Sequence, residues 1–349
     1  MCNATARRNF LIDMLKFIFS VYIFLFHFFN GDLFEKGYLC VDFFFIISGI
    51  MIANTHAKND IQTDNVFEIT LHQIKKKISS FALPYYLAWI IIFLQLHRSS
   101  ELKEIISDFL GSVFELLFLR MVGFKIYLCN GVTWYISALL IAMFICLPIY
   151  YKWKKMYIMY LGPIITAFFY MLLDQYEKNG CINYWVQSYA DGLPYLGLLR
   201  AIAGINLGLI GYEIIPYIKK QIKKNLSNLF GIVILLLVWG GIFAYMFYPT
   251  HQYYDYQILF LGFVGILGII VENDVLRNPN NYVYNSCLHL GQLSLYIYLF
   301  QNVVLIYRPK IYSFFNVDQK SGWIICLIVL FVISEGVMLF VKKIKKRYY

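Results

Sequence analysis

The sequence predicts an all-α, polytopic membrane helical bundle with about ten transmembrane helices, forming a single domain over residues 1–349. Three observations carry this prediction. Of the 349 residues, 60% are hydrophobic and only 14% are charged, which lies outside the composition of soluble globular proteins. Ten apolar segments are each long enough, or nearly so, to cross a bilayer. Basic residues are concentrated in alternate connecting segments.

The ten apolar segments follow one another without a linker or an internal repeat that would mark a second domain. They cover residues 10–29, 39–54, 79–96, 132–151, 156–173, 195–215, 229–247, 256–271, 287–307 and 322–341. A further apolar piece, 109–124, contains Glu115 and Arg120, which predicts an interfacial or re-entrant helix and not an eleventh transmembrane helix. The first segment lacks a cleavage site, so we expect it to be retained.

The distribution of lysine and arginine predicts that both termini are cytoplasmic. With an internal amino terminus, 19 of the 30 basic residues fall in cytoplasmic segments and 9 in external ones, while Lys16 and Arg200 lie inside apolar segments. The clusters Lys75–Lys77 and Lys342–Arg347 belong to the cytoplasmic set. The net charge of +10 therefore indicates topology and contact with lipid headgroups, and no nucleic-acid motif is present.

The cysteines predict neither a metal site nor a disulfide framework. All seven are scattered, without CxxC spacing or a Cys/His pattern suited to zinc. Cys129 and Cys181 fall in outer loops and are the pair whose position would permit a disulfide.

One side of the first apolar segment is polar. The polar residues are Asp13, Lys16, Ser20 and His27. Steps of 3, 7 and 14 residues from the first of them, at about 100° per residue, place all four on an arc roughly 60° wide. Ionisable side chains inside a membrane helix are costly and usually face a bundle interior or a water-filled cavity. We therefore expect the chemistry of this protein along this stripe.

A histidine and a carboxylate are predicted to meet near the external surface. The first helix runs outward, so His27 lies near its external end, and the second helix begins at the same depth with Asp42. A carboxylate beside an imidazole fixes its tautomer and prepares it to take a proton from a hydroxyl. For His27 alone, the alternative is an aromatic-belt or core histidine.

Lys16 has two interpretations. It lies about 16 Å from His27 along the helix, toward the cytoplasm. Either it forms a buried ion pair with Asp13, or it meets an anionic ligand that enters past Lys75–Lys77. Ser48-Gly49 in the second segment favours close helix packing over nucleophilic attack, because no GxSxG turn surrounds the serine.

Later segments hold further polar residues. Arg200 needs a partner inside the sixth segment, and it either clamps an anionic substrate group or pairs with an acidic residue such as Asp42. The others, expected to contact the acceptor or to stabilise the bundle, are Trp134, Tyr135, Ser137, Tyr298, Gln301, Asn302 and Glu335. The outer stretches 97–131 and 174–194 either shape a polar mouth or carry interfacial aromatic residues. In the second stretch these residues are Tyr184, Trp185, Gln187, Tyr189 and Asp191.

Three groups of these residues form recognisable motifs. The first comprises Arg8, Leu11-Ile12-Asp13 and Lys16, with His27 after ten intervening residues; the second is Val41-Asp42, an aromatic run and Ser48-Gly49. The third, weaker group comprises Lys77 with Phe81, Leu83-Pro84-Tyr85, Thr133-Trp134-Tyr135-Ile136-Ser137, and Leu290-Gly291 with Leu293-Ser294-Leu295-Tyr296 to Leu299. Together they resemble the acyltransferase 3 family of integral-membrane acyltransferases, which modify bacterial cell-surface carbohydrates.

The sequence departs from that family's pattern at three positions. Lys16 stands where arginine is usual, Cys40 replaces the common glycine before Val41-Asp42, and Gln301 stands where many members have histidine. The last departure removes a second histidine from the candidates. No appended esterase-like domain, as some members carry, is found in this sequence.

The resemblance implies transfer of an acyl group, usually acetyl, from a cytosolic coenzyme A thioester to a sugar hydroxyl at the plasma (inner) cell membrane. Acetyl-CoA is then the donor, bound near Lys16, Asp13 and Lys77, and no metal is needed. His27 is expected to act as general base or transient acyl carrier, with Asp42 orienting it. The pantetheine arm has to run about 16 Å along the polar stripe. This mechanism requires that Lys16 and His27 open into one tunnel.

Two other classes of protein also need an intramembrane polar path. A flippase or transporter for a lipid-linked glycan usually shows internal duplication and broken helices in paired positions, and neither is visible in the sequence. A polysaccharide polymerase or ligase would carry a large arginine-rich outer loop, whereas the outer loops here hold few arginines. A noncatalytic scaffold leaves the polar stripe unexplained.

Overall fold

The protein is built from helices, as a computed structural model shows. The structure describes residues 9–30, 32–58, 65–124, 127–177, 180–183, 195–222, 228–248, 253–272, 281–318 and 321–348. No β-strand occurs in these ranges. Arg8 of the first motif and the predicted mouth residues Tyr184, Trp185, Gln187, Tyr189 and Asp191 lie outside the described residues.

Thirteen α-helices are found in the described ranges. They are α1 (Phe10–Phe29), α2 (Leu39–Lys58), α3 (Val66–Leu96), α4 (Leu102–Gly111), α5 (Val113–Leu116), α6 (Trp134–Lys152), α7 (Lys154–Met156), α8 (Gly162–Glu177), α9 (Leu196–Ile222), α10 (Asn228–Phe247), α11 (Asp255–Glu272), α12 (Asn281–Phe315) and α13 (Gly322–Tyr348). Seven helical segments in these ranges are long and apolar enough to cross a membrane, and the shorter apolar helices α2, α10 and α11 bring the set to ten. The predicted all-α polytopic bundle is confirmed.

Asparagines define both ends of α1. The Asn9 side-chain oxygen accepts hydrogen bonds from the backbone nitrogens of Leu11 and Ile12, at 3.1 and 3.2 Å, which satisfies two of the helix's free amides. At the other end Asn30 adopts the left-handed conformation, with φ 50°, that commonly follows the last helical residue. The polar stripe thus lies on one uninterrupted helix.

The termini of the bundle lie at the same end. Aromatic contacts pair Phe10 with Tyr284 and Phe29 with Trp323, so α1 runs parallel to α12 and antiparallel to α13. The start of α1 and the end of α13 therefore share what we call the Lys16 end, and the opposite surface is the His27 end. That the Lys16 end faces the cytoplasm stays a prediction from the charge distribution.

The helices α2 and α9 approach each other at the distance of backbone contact. A Cβ on Gly208 would overlap the Ile46 carbonyl, and a Cβ on Gly49 would overlap the Ile205 carbonyl. With Gly204 one turn earlier, α9 presents a GxxxG surface, the small-residue arrangement that lets membrane helices pack closely. The packing role predicted for Ser48-Gly49 is confirmed for the glycine.

The apolar piece 109–124 is not an eleventh transmembrane helix, as predicted. It contains the end of α4, the single turn α5 and a 3₁₀ turn at Arg120–Val122. Cys129 and Cys181, the pair that the sequence predicts to lie in outer loops, are both free thiols, so no disulfide joins them.

We predict that Gly208→Ala destabilises the bundle by roughly 1–3 kcal/mol, the usual penalty for overpacking. The added methyl group has no room against the α2 backbone. Thermal unfolding of the purified protein in detergent measures the change. Gly240→Ala in α10 is the matched control, because a Cβ there meets nothing within 4 Å. Equal melting temperatures for the two variants would contradict the close packing.

Candidate functional site

The polar stripe of α1 faces the interior for most of its length. Asp13 and Ser20 are buried. The Asp13 carboxylate forms an ion pair with the Lys16 ammonium, with Oδ1 and Nζ 2.5 Å apart. The Asp13 carboxylate packs against Gly291 of α12, where any side chain would collide with it. The ion-pair interpretation of Lys16 is confirmed, and the pair still leaves the Lys16 side chain 12% exposed to a cavity.

This cavity, which we call the lysine cavity, lies at the Lys16 end and measures about 460 Å³. Four basic residues line it, from three helices: Lys16, Lys77, Lys342 and Lys345. The Lys345 ammonium also donates to the Ser79 carbonyl at 2.9 Å, which joins α13 to α3. Several positive charges around one cavity favour an anionic ligand.

A second cavity, the His27 cavity, lies at the other end of α1 and measures about 410 Å³. His27 is exposed and lines it together with Tyr38, Trp134, Asn183, Arg200 and Asn302. The start of α6, the start of α9 and the end of α1 thus meet around the imidazole. Of the residues predicted for the site, His27, Trp134, Arg200 and Asn302 come together here.

The buried partner of Arg200 is Asp42. The guanidinium donates from Nη2 and Nε to the two Asp42 oxygens, at 2.6 and 3.1 Å, and both side chains are fully buried. The guanidinium carbon lies 5.3 Å from the centre of the Trp134 ring, a cation–π contact. Of the two predicted roles of Arg200, pairing with Asp42 is confirmed.

The predicted contact between Asp42 and His27 is wrong. Both Asp42 oxygens are bound by Arg200 in a bidentate pair, because an unpaired guanidinium at this depth would be far more costly than a histidine that faces a cavity. Asp42 does not line the His27 cavity itself. Its contribution is to hold the Arg200 side chain, which does line that cavity.

An aromatic wall separates the lysine cavity from the His27 cavity. Phe44, Tyr135 and Tyr298 line the lysine cavity and pack on one another with ring centres 5.5 to 6.4 Å apart. The Tyr298 hydroxyl donates at 2.7 Å to the carbonyl of Val132, which lines the His27 cavity. In the described part of the chain Lys16 and His27 thus line separate cavities, and the prediction of one continuous tunnel is wrong.

A buried polar network places Trp134 at the start of α6. The Glu115 carboxylate accepts hydrogen bonds from the Cys129 and Asn130 amides and from the Thr133 hydroxyl, at 2.7 to 3.1 Å. Arg120 donates to the same turn, at 2.8 Å to the Asn130 carbonyl. Burial lowers the pKa of Arg120 to about 10, against the opposing effect of Glu115, so the guanidinium stays charged at neutral pH. The network fixes the turn from which the Trp134 ring reaches Arg200.

A family model for an acyltransferase domain, that of the acyltransferase 3 family, matches residues 9–340. The chain belongs to the acyltransferase 3 family. The match covers nearly the whole chain, and it confirms the resemblance that the motifs predicted. This member of the family is a multi-pass membrane acyltransferase. No curated protein and no solved structure matches the chain.

The other predicted site residues of this acyltransferase have structural contacts. The Ser137 hydroxyl accepts a hydrogen bond from the Met121 amide at 3.0 Å, and the Gln301 side chain donates to the Tyr298 carbonyl at 2.8 Å. Glu335 pairs with His289 at 2.9 Å, on a part of α13 that lines neither cavity. Tyr298 belongs to the aromatic wall, and Asn302 donates to the Asn130 side chain at 2.9 Å.

Sequence reasoning missed Lys342, Lys345, Tyr38 and Asn183. The basic character of the first two predicts membrane topology alone, although their spacing of three residues places them on one face of a helix. The other two lie in connecting segments, whose path the sequence does not specify, so no pattern pointed to them.

We predict that Asp42→Asn destabilises this acyltransferase by about 3–5 kcal/mol, because it leaves the buried Arg200 charge without a partner. The double variant Asp42→Leu, Arg200→Met should lose much less than the sum of the losses in Asp42→Leu and Arg200→Met. Thermal unfolding of wild type, these two single variants and the double variant in detergent completes the double-mutant cycle. Additive losses would show that the two side chains do not interact.

Proposed function

We propose that the protein transfers an acyl group, acetyl in most of its family, from acyl-CoA to a hydroxyl of a cell-surface or exopolysaccharide sugar. One observation carries the proposal: the His27 imidazole lines a cavity on the far side of an aromatic wall from a cavity with four lysines. An anionic donor and a neutral hydroxyl acceptor would then reach the same histidine from opposite ends of the bundle.

The lysine cavity supports the donor assignment. The coenzyme A head carries phosphates, and Lys77, Lys342 and Lys345 supply ammonium groups at the mouth of the cavity. Lys16 lies deeper, where Asp13 fixes its side chain. By the distribution of basic residues this end faces the cytoplasm, which is where acyl-CoA is found.

The aromatic wall has to open for the thioester to reach His27. The distance along α1 from Lys16 to His27 is about 16 Å, which suits a thin, extended pantetheine arm. Phe44, Tyr135 and Tyr298 would have to rotate aside, and the hydrogen bond from Tyr298 to Val132 would break. A wall that opens only for the donor arm would keep the membrane sealed between turnovers.

The reaction at His27 balances without a metal. The imidazole takes the proton of the acceptor hydroxyl while the oxygen attacks the thioester carbonyl, the carbon–sulfur bond breaks, and the thiolate leaving group takes a proton from the imidazolium. Arg200, held by Asp42, lies in the same cavity and would stabilise the negative charge that develops on the carbonyl oxygen. A transient acyl-imidazole is the second route to the same product.

The orientation of the bundle also suggests which membrane holds the protein. With the Lys16 end cytoplasmic, the His27 end faces outward, where cell-surface carbohydrate is found. We therefore place the protein in the plasma (inner) membrane of a cell that decorates its surface glycans.

We predict that His27→Ala lowers acyl transfer by about 100- to 10,000-fold, the range expected for loss of a general base, while the protein still inserts and purifies. Lys16→Arg should keep much of the activity and Lys16→Ala should not, because positive charge toward the donor is what this position supplies. Transfer of labelled acetyl from acetyl-CoA, in lipid nanodiscs, measures all three variants.

A wild-type rate for His27→Ala would overturn the mechanism. Mass spectrometry of surface glycans from cells with and without the protein tests the function itself. A difference of one acyl group identifies the reaction and the acceptor, and identical glycans from cells that express the protein would count against it.

We predict that the double variant Lys342→Ala, Lys345→Ala raises the KM for acyl-CoA about tenfold, equivalent to ~1.4 kcal/mol, with a smaller change in kcat. The two lysines contact the anionic head of the donor and lie far from the reacting atoms. Lys343→Ala is the matched control, since Lys343 lies on the same helix, is exposed, and does not line the cavity. Equal KM values for the double variant and the control would remove α13 from the donor site.

A further inference from the structure

The His27 side chain lies in a wall shared by two cavities. Beside the His27 cavity is another of about 350 Å³, which we call the Glu35 cavity. The two share Phe26, His27, Tyr38 and Asn183, while Asn30, Glu35, Cys181 and Tyr253 line only the Glu35 cavity. The same imidazole therefore lines both cavities.

The two cavities differ in their relation to the donor. The His27 cavity borders the aromatic wall, because its Val132 carbonyl accepts the Tyr298 hydroxyl. The Glu35 cavity lies beyond the end of α1, among residues of the segments that connect the helices. A thioester that passes the wall enters the His27 cavity first, which leaves the Glu35 cavity for the acceptor.

The lining of the Glu35 cavity suits a polyhydroxylated ligand. The Glu35 carboxylate accepts the Tyr253 hydroxyl at 3.1 Å and has further lone pairs for ligand hydroxyls. Burial and the hydrogen bond to Glu35 raise the pKa of Tyr253 to about 12, so its hydroxyl remains a donor at neutral pH. The Asn30 and Asn183 amides both donate and accept, and the rings of Tyr38 and Tyr253 offer apolar surface.

The charges around the cavity are arranged asymmetrically. Glu35 has 23% of its side chain exposed, whereas its neighbour Lys36 is fully buried, with its ammonium 3.9 Å from the carboxylate. That ammonium lies 4.6 and 5.1 Å from the ring centres of Tyr245 and Tyr253. A ligand in the cavity therefore meets the carboxylate and not the ammonium.

We propose that the Glu35 cavity binds the acceptor sugar, and that it selects uncharged or amine-bearing acceptors over acidic ones. The proposal rests on the acyl transfer proposed above and names the substrate class of that site. Glu35 accepts hydrogen bonds from sugar hydroxyls or an ammonium, and it repels the carboxylate of a uronic acid or the oxygens of a phosphate.

The test compares two acceptors with purified protein in nanodiscs: a neutral oligosaccharide and one of equal length in which uronic acid replaces a hexose. The measured quantity is the ratio of kcat/KM for the neutral acceptor to that for the acidic one, at constant acetyl-CoA. We expect wild type to favour the neutral acceptor and Glu35→Gln to lower the ratio about tenfold. Glu101→Gln removes an exposed carboxylate at the same end of the bundle and should leave the ratio unchanged.

The variant Asn30→Asp adds a carboxylate to the cavity, whereas Glu35→Gln removes one. Its result does not depend on whether the Glu35 variant folds. Asn30 lines only the Glu35 cavity and has a left-handed backbone, which aspartate also tolerates. The added carboxylate should raise the ratio of neutral to acidic acceptor. Size-exclusion chromatography and thermal unfolding confirm that each variant is folded.

Failure of this proposal and failure of the proposed function give different results. Equal use of both acceptors by wild type, or an unchanged ratio in Glu35→Gln and Asn30→Asp, overturns the acceptor assignment while acyl transfer stands. No transfer from acetyl-CoA to either acceptor or to whole surface glycan overturns the acyl transfer itself.

Discussion

The close approach of α2 and α9 is the constraint on which the rest of the structure depends. Gly49 and Gly208 let the two backbones touch, and Gly204 extends the contact toward the His27 end. One turn before Gly204 on α9 lies Arg200, which meets Asp42 in a fully buried bidentate pair. The helix contact and the ion pair support each other, since neither charge could be buried without its partner. Together they hold a guanidinium against Trp134 and beside His27.

The aromatic wall gives the bundle two chemically different ends. The cavity at the Lys16 end is rich in ammonium groups. The cavities at the His27 end hold amides, tyrosines, the His27 imidazole and the Glu35 carboxylate, and their one guanidinium among the described lining residues, Arg200, is paired with Asp42. Phe44, Tyr135 and Tyr298 fill the space between them, and the two tyrosine hydroxyls form hydrogen bonds with Ser48 and Val132. Such a division suits transfer between a charged donor and an acceptor on the other side of a membrane, because it keeps water away from the thioester.

The sequence predicted the features that depend on helical periodicity and on depth in the membrane. It did not predict the contacts that depend on which helices are neighbours in the bundle. The stripe on α1 and the ten apolar segments follow from spacing alone, and both are found. The pair of Asp13 with Lys16, one of two interpretations that spacing left open, is found as well. His27 and Asp42 do share a depth, but which neighbour α2 turns toward depends on the packing of Gly49 on Gly208, a contact between residues far apart in the chain. The tunnel failed for a similar reason. Rings from α2, α6 and α12 close it, and no single segment reveals that they meet.

The separation of Asp42 from His27 changes what the imidazole can do. A histidine bound to a carboxylate uses one ring nitrogen for that bond and has one left for chemistry. Because Arg200 occupies the Asp42 carboxylate, neither His27 nitrogen is committed to it. The ring lines the cavity assigned to the thioester and the cavity assigned to the acceptor. Where the two cavities meet at the ring, the imidazole can take the proton of the acceptor hydroxyl while its oxygen attacks the thioester carbonyl, and can then give a proton to the departing thiolate. A histidine between two cavities therefore suits direct transfer better than a histidine fixed to Asp42 would.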